Sequence, residues 1–156
     1  MNSVCKKIYI IGPAGSGKST LAEKLSHRYT LPILDLDDIF WREKYSLQNS
    51  LSRQKDLLED FLEKNKQGWI IEGAEPEFAS MIAQEANQVI WLKKPVVVLF
   101  FRLIKRFIKN QEQEKNTKNE KIKNYWKLIL GIISYNRKNN LYRLHERIFL
   151  SQRTTN

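Results

Sequence analysis

The chain has 156 residues, of which 42% are apolar and 28% charged, enough to bury one compact core and too apolar for global disorder. Six Gly and four Pro exclude a fibrous or low-complexity protein, and a single cysteine, Cys5, excludes an internal disulfide and a cysteine zinc cage. The net charge of +10 is uneven: residues 1–92 carry 11 Lys/Arg against 13 Asp/Glu, and residues 93–156 carry 16 against 4. Such a C-terminal half suits an anionic partner such as nucleotide phosphates, nucleic acid or a membrane surface. The longest uncharged apolar run, Pro95 to Phe101, falls far short of the ~20 residues of a membrane span. The N-terminus has no signal-peptide pattern, so the expectation is one cytoplasmic domain over 1–156 that does not enter a membrane.

Val4–Ile11 favours a buried strand that ends in glycine. From Lys18 the pattern turns helical, with Leu21, Ala22, Leu25 and Tyr29 on one face, and Pro32 stops it. Ile33–Leu36 reads as a second strand, followed by the acids Asp35, Asp37 and Asp38. Ser52 or Ser50 caps a helix through Asn65 with a stripe of Leu57, Leu58, Phe61 and Leu62. Gly68 closes it, and Trp69–Glu72 is a third strand.

Pro76 opens a short helix to about Ala86, Gln88–Leu92 is a fourth strand, and Pro95 starts a helix running past Lys109. Residues 110–121 hold no apolar residue and read as a solvated connection. Tyr125–Tyr135 is helical again, with Trp126, Ile129, Leu130 and Ile133 inward, and 147–151 reads as a fifth strand. His27 and His145 are expected on the surface, and Trp69, Trp91 and Trp126 in the core. Strands alternating with helices predict an α/β sandwich of three layers around a parallel sheet, because parallel strands need crossover helices.

Gly12-Pro-Ala-Gly15-Ser-Gly17-Lys18-Ser19 fits G-x-x-x-x-G-K-[ST], the phosphate-binding P-loop of nucleotide-binding proteins. Glycines let the chain curl so that backbone N–H groups point at phosphates, and the next helix adds the positive end of its dipole. Gly12, Pro13, Ala14, Gly15, Ser16, Gly17, Lys18, Ser19 and Thr20 are therefore the candidate ATP-binding residues. Lys18 would reach the β- and γ-phosphates, and the Ser19 hydroxyl would hold Mg²⁺. The motif lies between a predicted strand and a predicted helix, as that chemistry requires. No N-K-x-D or D-x-x-G sequence is present, which argues against a GTPase.

The blocks IIGPAGSGKSTLAEKL, LPILDLDDIFW, WIIEG and QVIWLKKP followed by FFRLIKR resemble, in order, the adenylate-kinase-like topology-modulation (FlaR-type) proteins. The resemblance implies a P-loop kinase fold with a five-stranded sheet in the order 2-3-1-4-5. It implies phosphoryl transfer from ATP, with Mg²⁺, to a small acceptor that it does not define. Asp37 and Trp41 match the family's acidic and aromatic pair, and an aspartate there would bind an acceptor hydroxyl or hold a water on Mg²⁺. Asp35, on the same strand, is an alternative metal residue, and helix capping by Asp37 or Asp38 is the structural alternative. Glu72 stands where the family has a metal-organising aspartate. Ala74-Glu75-Pro76 departs from the family pattern and lacks the arginine that nucleotide monophosphate kinases carry there. Arg102 and Arg106 match a paired basic motif, and Arg137 lies near a later basic cluster, so all three are candidate catalytic groups beside Lys18. A lid-like segment is expected at about 106–124. Two different readings stand beside the kinase: a nucleotide-binding regulator of DNA topology that contacts DNA through the basic half, and a slow NTPase.

Overall fold

The structure, a computed structural model, describes residues 5–43, 47–73, 75–111, 129–130, 133–135 and 140–154. The side chains of 43, 106–111 and 152–154 lie outside that description. β1 (Lys6–Ile11) leads through the P-loop into α1 (Lys18–Tyr29), and β2 (Ile33–Asp35) runs directly into the short α2 (Leu36–Phe40). A small ribbon follows, β3 (Trp41–Glu43) pairing antiparallel with β4 (Leu47–Gln48), which the sequence pattern does not announce. Next come α3 (Leu51–Lys64), β5 (Gly68–Glu72), α4 (Pro76–Glu85), β6 (Gln88–Trp91), α5 (Val96–Gln111) and α6 (Asn140–Thr154).

The main sheet is parallel and runs β2-β5-β1-β6, the order expected for the first four strands. All five residues of β5 are buried, the mark of a strand covered on both faces. Alternation sorts the two faces. Ile8, Ile10 and Ile70 pack with Ala22, Leu21 and Leu25 of α1 on one side. Tyr9, Ile11, Trp69, Ile71, Val89 and Trp91 meet Leu58 of α3, Phe78 and Ile82 of α4 and Ile148 of α6 on the other.

Four expectations need correction. The predicted fifth strand at 147–151 is helix, so the parallel sheet has four strands among the described residues. The stretch looked strand-like because Ile148, Phe149 and Leu150 are adjacent, yet the operative period is helical. Leu141, Tyr142, His145, Ile148 and Phe149 share one face of α6, and the Tyr142 and Phe149 rings lie 5.1 Å and 5.8 Å from that of Trp91. Gly68 does not end α3, which is capped at Asn65; it begins β5, where a Cβ would come within 2.8 Å of the Lys6 carbonyl oxygen. Leu130 and Ile133 are exposed, whereas Ile129 packs against Leu99 and Leu103 as expected. Trp126 lies outside the described residues. The cap of α3 is Ser50, whose hydroxyl accepts from the Arg53 N–H.

His145 is the sharpest departure, because it is fully buried rather than on the surface. The Trp91 Nε1–H donates to the Tyr135 hydroxyl at 2.7 Å, and that hydroxyl lies 2.9 Å from His145 Nδ1. With the tyrosine oxygen accepting from Trp91, its own proton is free for Nδ1, which assigns neutral His145 the Nε2–H tautomer. Burial, and secondarily the charge of Lys18, holds the imidazole down at about 4. The unfolded chain binds this proton from about pH 6.5, so stability is present above that value and is lost as pH falls towards 4. Over that window His145 is expected to cost about 3 kcal/mol. Asp35 and Glu75, whose carboxyls are raised, act in the opposite sense as pH falls. Urea denaturation of wild type and His145→Phe from pH 7 to pH 4 isolates the histidine contribution. The difference between the two proteins should change with pH, and a constant difference would refute it.

Candidate functional site

The phosphate loop is built by the end of β1. Gly12 has φ +150°, and a Cβ there would stand 2.7 Å from the Leu92 carbonyl oxygen, so only glycine lets the loop leave the sheet beside β6. The Ser16 N–H closes a turn on the Pro13 carbonyl at 3.2 Å. Gly17, at φ +99°, then turns the chain into α1 in a left-handed conformation that a side chain rarely adopts. No side chain caps α1, and no acid occupies its first turn, so the first N–H groups of α1 have no capping side chain of their own. Ser16 is buried with a hydroxyl that has no hydrogen-bond partner, a polar group without a mate inside the loop.

Lys18 is half-buried at the start of α1, and its Nζ touches only the rim of hydrogen-bond distance, 3.5 Å from the Pro13 carbonyl. Ser19 and Thr20 are exposed in the same first turn. The loop and the first turn of α1 thus carry an ammonium, two exposed hydroxyls and a helix start without a side-chain cap, donor types that suit a polyphosphate.

α5 closes the other side. Leu99 and Leu103 bury against Ala14 of the loop, which seats the helix on the P-loop. From there the Arg102 guanidinium Nη1 donates to the Gly15 carbonyl at 3.3 Å and to the Ser16 carbonyl at 3.2 Å. Arg102, a candidate catalytic group from the sequence, here contacts the loop through these two bonds. Removing two charge-assisted contacts of an exposed arginine is expected to cost about 1.4 kcal/mol. Calorimetry of an ATP analogue on Arg102→Ala should therefore show about tenfold weaker binding. Arg106 lies one turn later on α5, its side chain outside the described residues, and Arg137 lies outside them altogether. Of the lid-like segment 106–124, only 106–111 is described, as helix.

Asp35 and Glu72 are direct partners in the β2–β5 register, and Glu72 also pairs with Ile10 of β1. Being two residues beyond Ile70, Glu72 faces the α1 side of the sheet, the side from which Lys18 and Ser19 start. It is 3% exposed. Burial pushes the Asp35 carboxyl up to about 6, with Glu72 the next cause. Asp35 also caps α2, accepting from the Asp37 N–H at 2.9 Å, so the capping role falls to Asp35 rather than to Asp37 or Asp38. Asp37 and Asp38 are exposed in the first turn of α2, and Trp41 follows the helix, its ring edge-on to Phe40 at 4.9 Å.

Two further groups influence each other electrostatically, Glu75 and Tyr9, the latter on the sheet face opposite Glu72. Glu75 stands at the N-cap position just before α4, and burial followed by the charges of Asp37 and Glu77 pushes its carboxyl up to about 7. Tyr9 of β1 is completely buried, its hydroxyl has no partner, and its proton is held more tightly by burial and by Glu75. Sequence reasoning passed over Tyr9, although a phenol in the strand just before a P-loop is a polar tip inside an apolar run. Among the described residues, no three His, Cys, Asp or Glu side chains are arranged to hold a metal ion by themselves. No described helix is long and apolar enough to cross a membrane.

A family model described as an AAA domain matches residues 8–121, which spans the P-loop, all but the first two residues of the main sheet, and α5. The chain belongs to this AAA-domain family. A curated relative of this AAA-domain chain, the uncharacterized protein YqaC of Bacillus subtilis (strain 168), is 32% identical over 98 residues. That similarity covers 63% of this chain and 54% of YqaC, so the chain spans about half the length of the relative. A shikimate kinase from Acinetobacter baumannii, solved in complex with shikimate, superposes with a TM-score of 0.57 at 18% identity. The superposition covers 94% of this AAA-domain chain and 81% of the kinase. The two share the α/β P-loop kinase fold, with helices around a parallel sheet.

Proposed function

We propose that this chain is an ATP-dependent phosphotransferase of adenylate-kinase-like type that moves the γ-phosphoryl group to a hydroxyl of a small acceptor. The observation that supports the reading is the P-loop itself: it holds Lys18, an orphaned Ser16 hydroxyl and an uncapped start of α1, and Arg102 donates to its carbonyls. Gly12 to Thr20 would hold the triphosphate, with Lys18 neutralising charge on the β- and γ-phosphates.

Mg²⁺ fits the residues present. Asp35 and Glu72 set two carboxylates side by side, and burial plus mutual repulsion raises the Asp35 carboxyl, a cost that a divalent cation would offset. Ser19, Asp35 and Glu72 would hold the ion, directly or through water, and it would screen the phosphate oxygens. Asp37 and Trp41 would hold the acceptor. Arg106 and Arg137, with the lid-like segment 106–124, would close over the site and exclude water. An enzyme of this kind, folded as one domain, would act in the cytoplasm.

The resemblance to topology-modulation proteins supports a second reading, a regulator that contacts DNA, which the excess of basic residues after 92 favours. A slow NTPase is the third. ADP release from Mg-ATP, measured with a panel of nucleosides, nucleotides and sugars, separates them. The kinase reading expects an acceptor to stimulate release, and it expects Arg106→Ala to lower turnover more than ATP affinity. Acceptor-independent hydrolysis would favour the NTPase. Sequence-specific, salt-sensitive DNA binding lost in Arg106→Ala, with unchanged turnover, would favour the regulator.

A further inference from the structure

α5 carries more apolar surface than the core uses. Leu99 and Leu103, one turn apart, are buried with Ala14 of the P-loop and Ile129 packed on them. Val97, Phe101 and Ile104 share a second face at helical spacing, with Phe100 at its edge, and all four are exposed. Val97 is 63% exposed and Phe101 66%. Where the chain returns after α5, Ile129 joins Leu99 and Leu103 rather than this stripe, and its neighbour Leu130 is itself exposed. A continuous apolar stripe held out in water marks a contact surface, unlike a lone exposed leucine.

The charges beside the stripe decide what covers it. From Lys93 to Gln111 the chain holds Lys93, Lys94, Arg102, Lys105, Arg106 and Lys109, and no Asp or Glu. Lys94 and Lys105 are exposed, and neither forms an ion pair among the described residues. Lys105 follows Ile104, about 100° round the helix, and so borders the stripe. A second copy of this chain laid on the same face would set these lysines against each other. A nucleic acid would take the lysines, but its phosphate backbone offers nothing to Val97 and Ile104. An anionic lipid surface takes both, because the acyl boundary accepts the stripe and the headgroups accept the ammonium groups that flank it.

We propose that α5 docks the protein on an anionic lipid bilayer, with Val97, Phe100, Phe101 and Ile104 entering the interface and Lys94 and Lys105 set on the headgroups. No described helix is long and apolar enough to cross a membrane, so α5 lies along the surface rather than spanning it. Leu99 and Leu103 stay on the P-loop, and Arg102 keeps its bonds to Gly15 and Ser16. Nucleotide binding and surface docking therefore use different faces of one helix, and the docking holds whatever reaction the P-loop serves.

Co-sedimentation of the full chain with vesicles tests the proposal, using phosphatidylcholine alone and phosphatidylcholine with about one-third phosphatidylserine, at about 0.1 M salt. The chain should bind the anionic vesicles at least about tenfold more tightly than the neutral ones. Phe101→Ser leaves the charge untouched and should weaken binding to anionic vesicles by about tenfold, as expected when a phenyl group no longer leaves water. Lys94→Gln combined with Lys105→Gln should narrow the gap between the two vesicles. Circular dichroism reports whether each variant is folded, and Val97→Ser takes the place of Phe101→Ser should that one fail. No binding to anionic vesicles, equal binding to both kinds, or unchanged binding by the folded apolar variant would each overturn the proposal. So would a dimer in sedimentation velocity that Phe101→Ser dissolves, which would give the stripe to a second copy. Binding of duplex DNA that the same variant weakens, without vesicle binding, would give it to nucleic acid and overturn the proposal too.

Discussion

Lys18→Ala is expected to weaken binding of an ATP analogue by more than about a hundredfold, since on the proposed reading it removes the cation that would make charge-assisted bonds to phosphate. The fold should persist. Among the described residues the ammonium has one long contact, to the Pro13 carbonyl, so little of the described core depends on it. A second readout comes from His145, whose imidazole is held down first by burial and then by the charge of Lys18. In Lys18→Ala the His145 pKa should therefore rise from about 4 while remaining below 6.5, because the burial contribution is unchanged. NMR titration of the imidazole and calorimetry on the same protein check both statements. Unchanged nucleotide affinity in a folded variant would refute the assignment of the lysine to phosphate.

The carboxylate pair should show the opposite balance between activity and stability. Asp35→Asn is expected to make the protein more stable at pH 7 by about 1 kcal/mol, after allowance for the partial exposure of the group. The reason is that the folded state raises the Asp35 carboxyl to about 6. The stability it contributes is complete below about pH 4 and is lost as pH rises through 6. Asparagine keeps the cap on α2, because its side-chain oxygen can still accept from the Asp37 N–H. Turnover should fall by about a hundredfold for Asp35→Asn and for Glu72→Gln alike, as when one electrostatic stabiliser of a transition state is removed. The Mg²⁺ concentration needed for half-maximal rate should rise in both. Thermal unfolding and a Mg²⁺ titration of turnover make the comparison, and an unaltered Mg²⁺ requirement would remove both residues from the metal site.

These two sites differ in how far the chain reveals them. The P-loop is a local object: eight consecutive residues supply the turn, the N–H groups and the lysine, and the structure finds each on the expected element. The strands at Lys6–Ile11, Gly68–Glu72 and Gln88–Trp91 were equally plain, because short apolar runs bounded by glycine and helix-stop signals need no distant partner to be recognised. Asp35 and Glu72 were visible as strand-end acids, but their pairing is a matter of register. Only the crossover that places β2 beside β5 puts them opposite each other.

What the sequence by itself determined is the phosphate-binding element and the parallel α/β layering, since both follow from spacing along a few residues. Tertiary structure alone decided the roles of the C-terminal half. The run at 147–151 carries adjacent apolar residues that suit either a strand or a helix, and it becomes helix because that geometry lays Tyr142, Ile148 and Phe149 against Trp91 and its neighbours. His145 is buried for the same cause: it lies on the face of α6 that meets Trp91 and Tyr135, and the Tyr135 hydroxyl satisfies one ring nitrogen. Arg102 tells the same story at the site. Its position on α5 was readable, but its contact with Gly15 and Ser16 arises from Leu99 and Leu103 packing on Ala14, more than eighty residues away along the chain. Periodicity reports which face of an element is apolar, and only packing reports what that face meets.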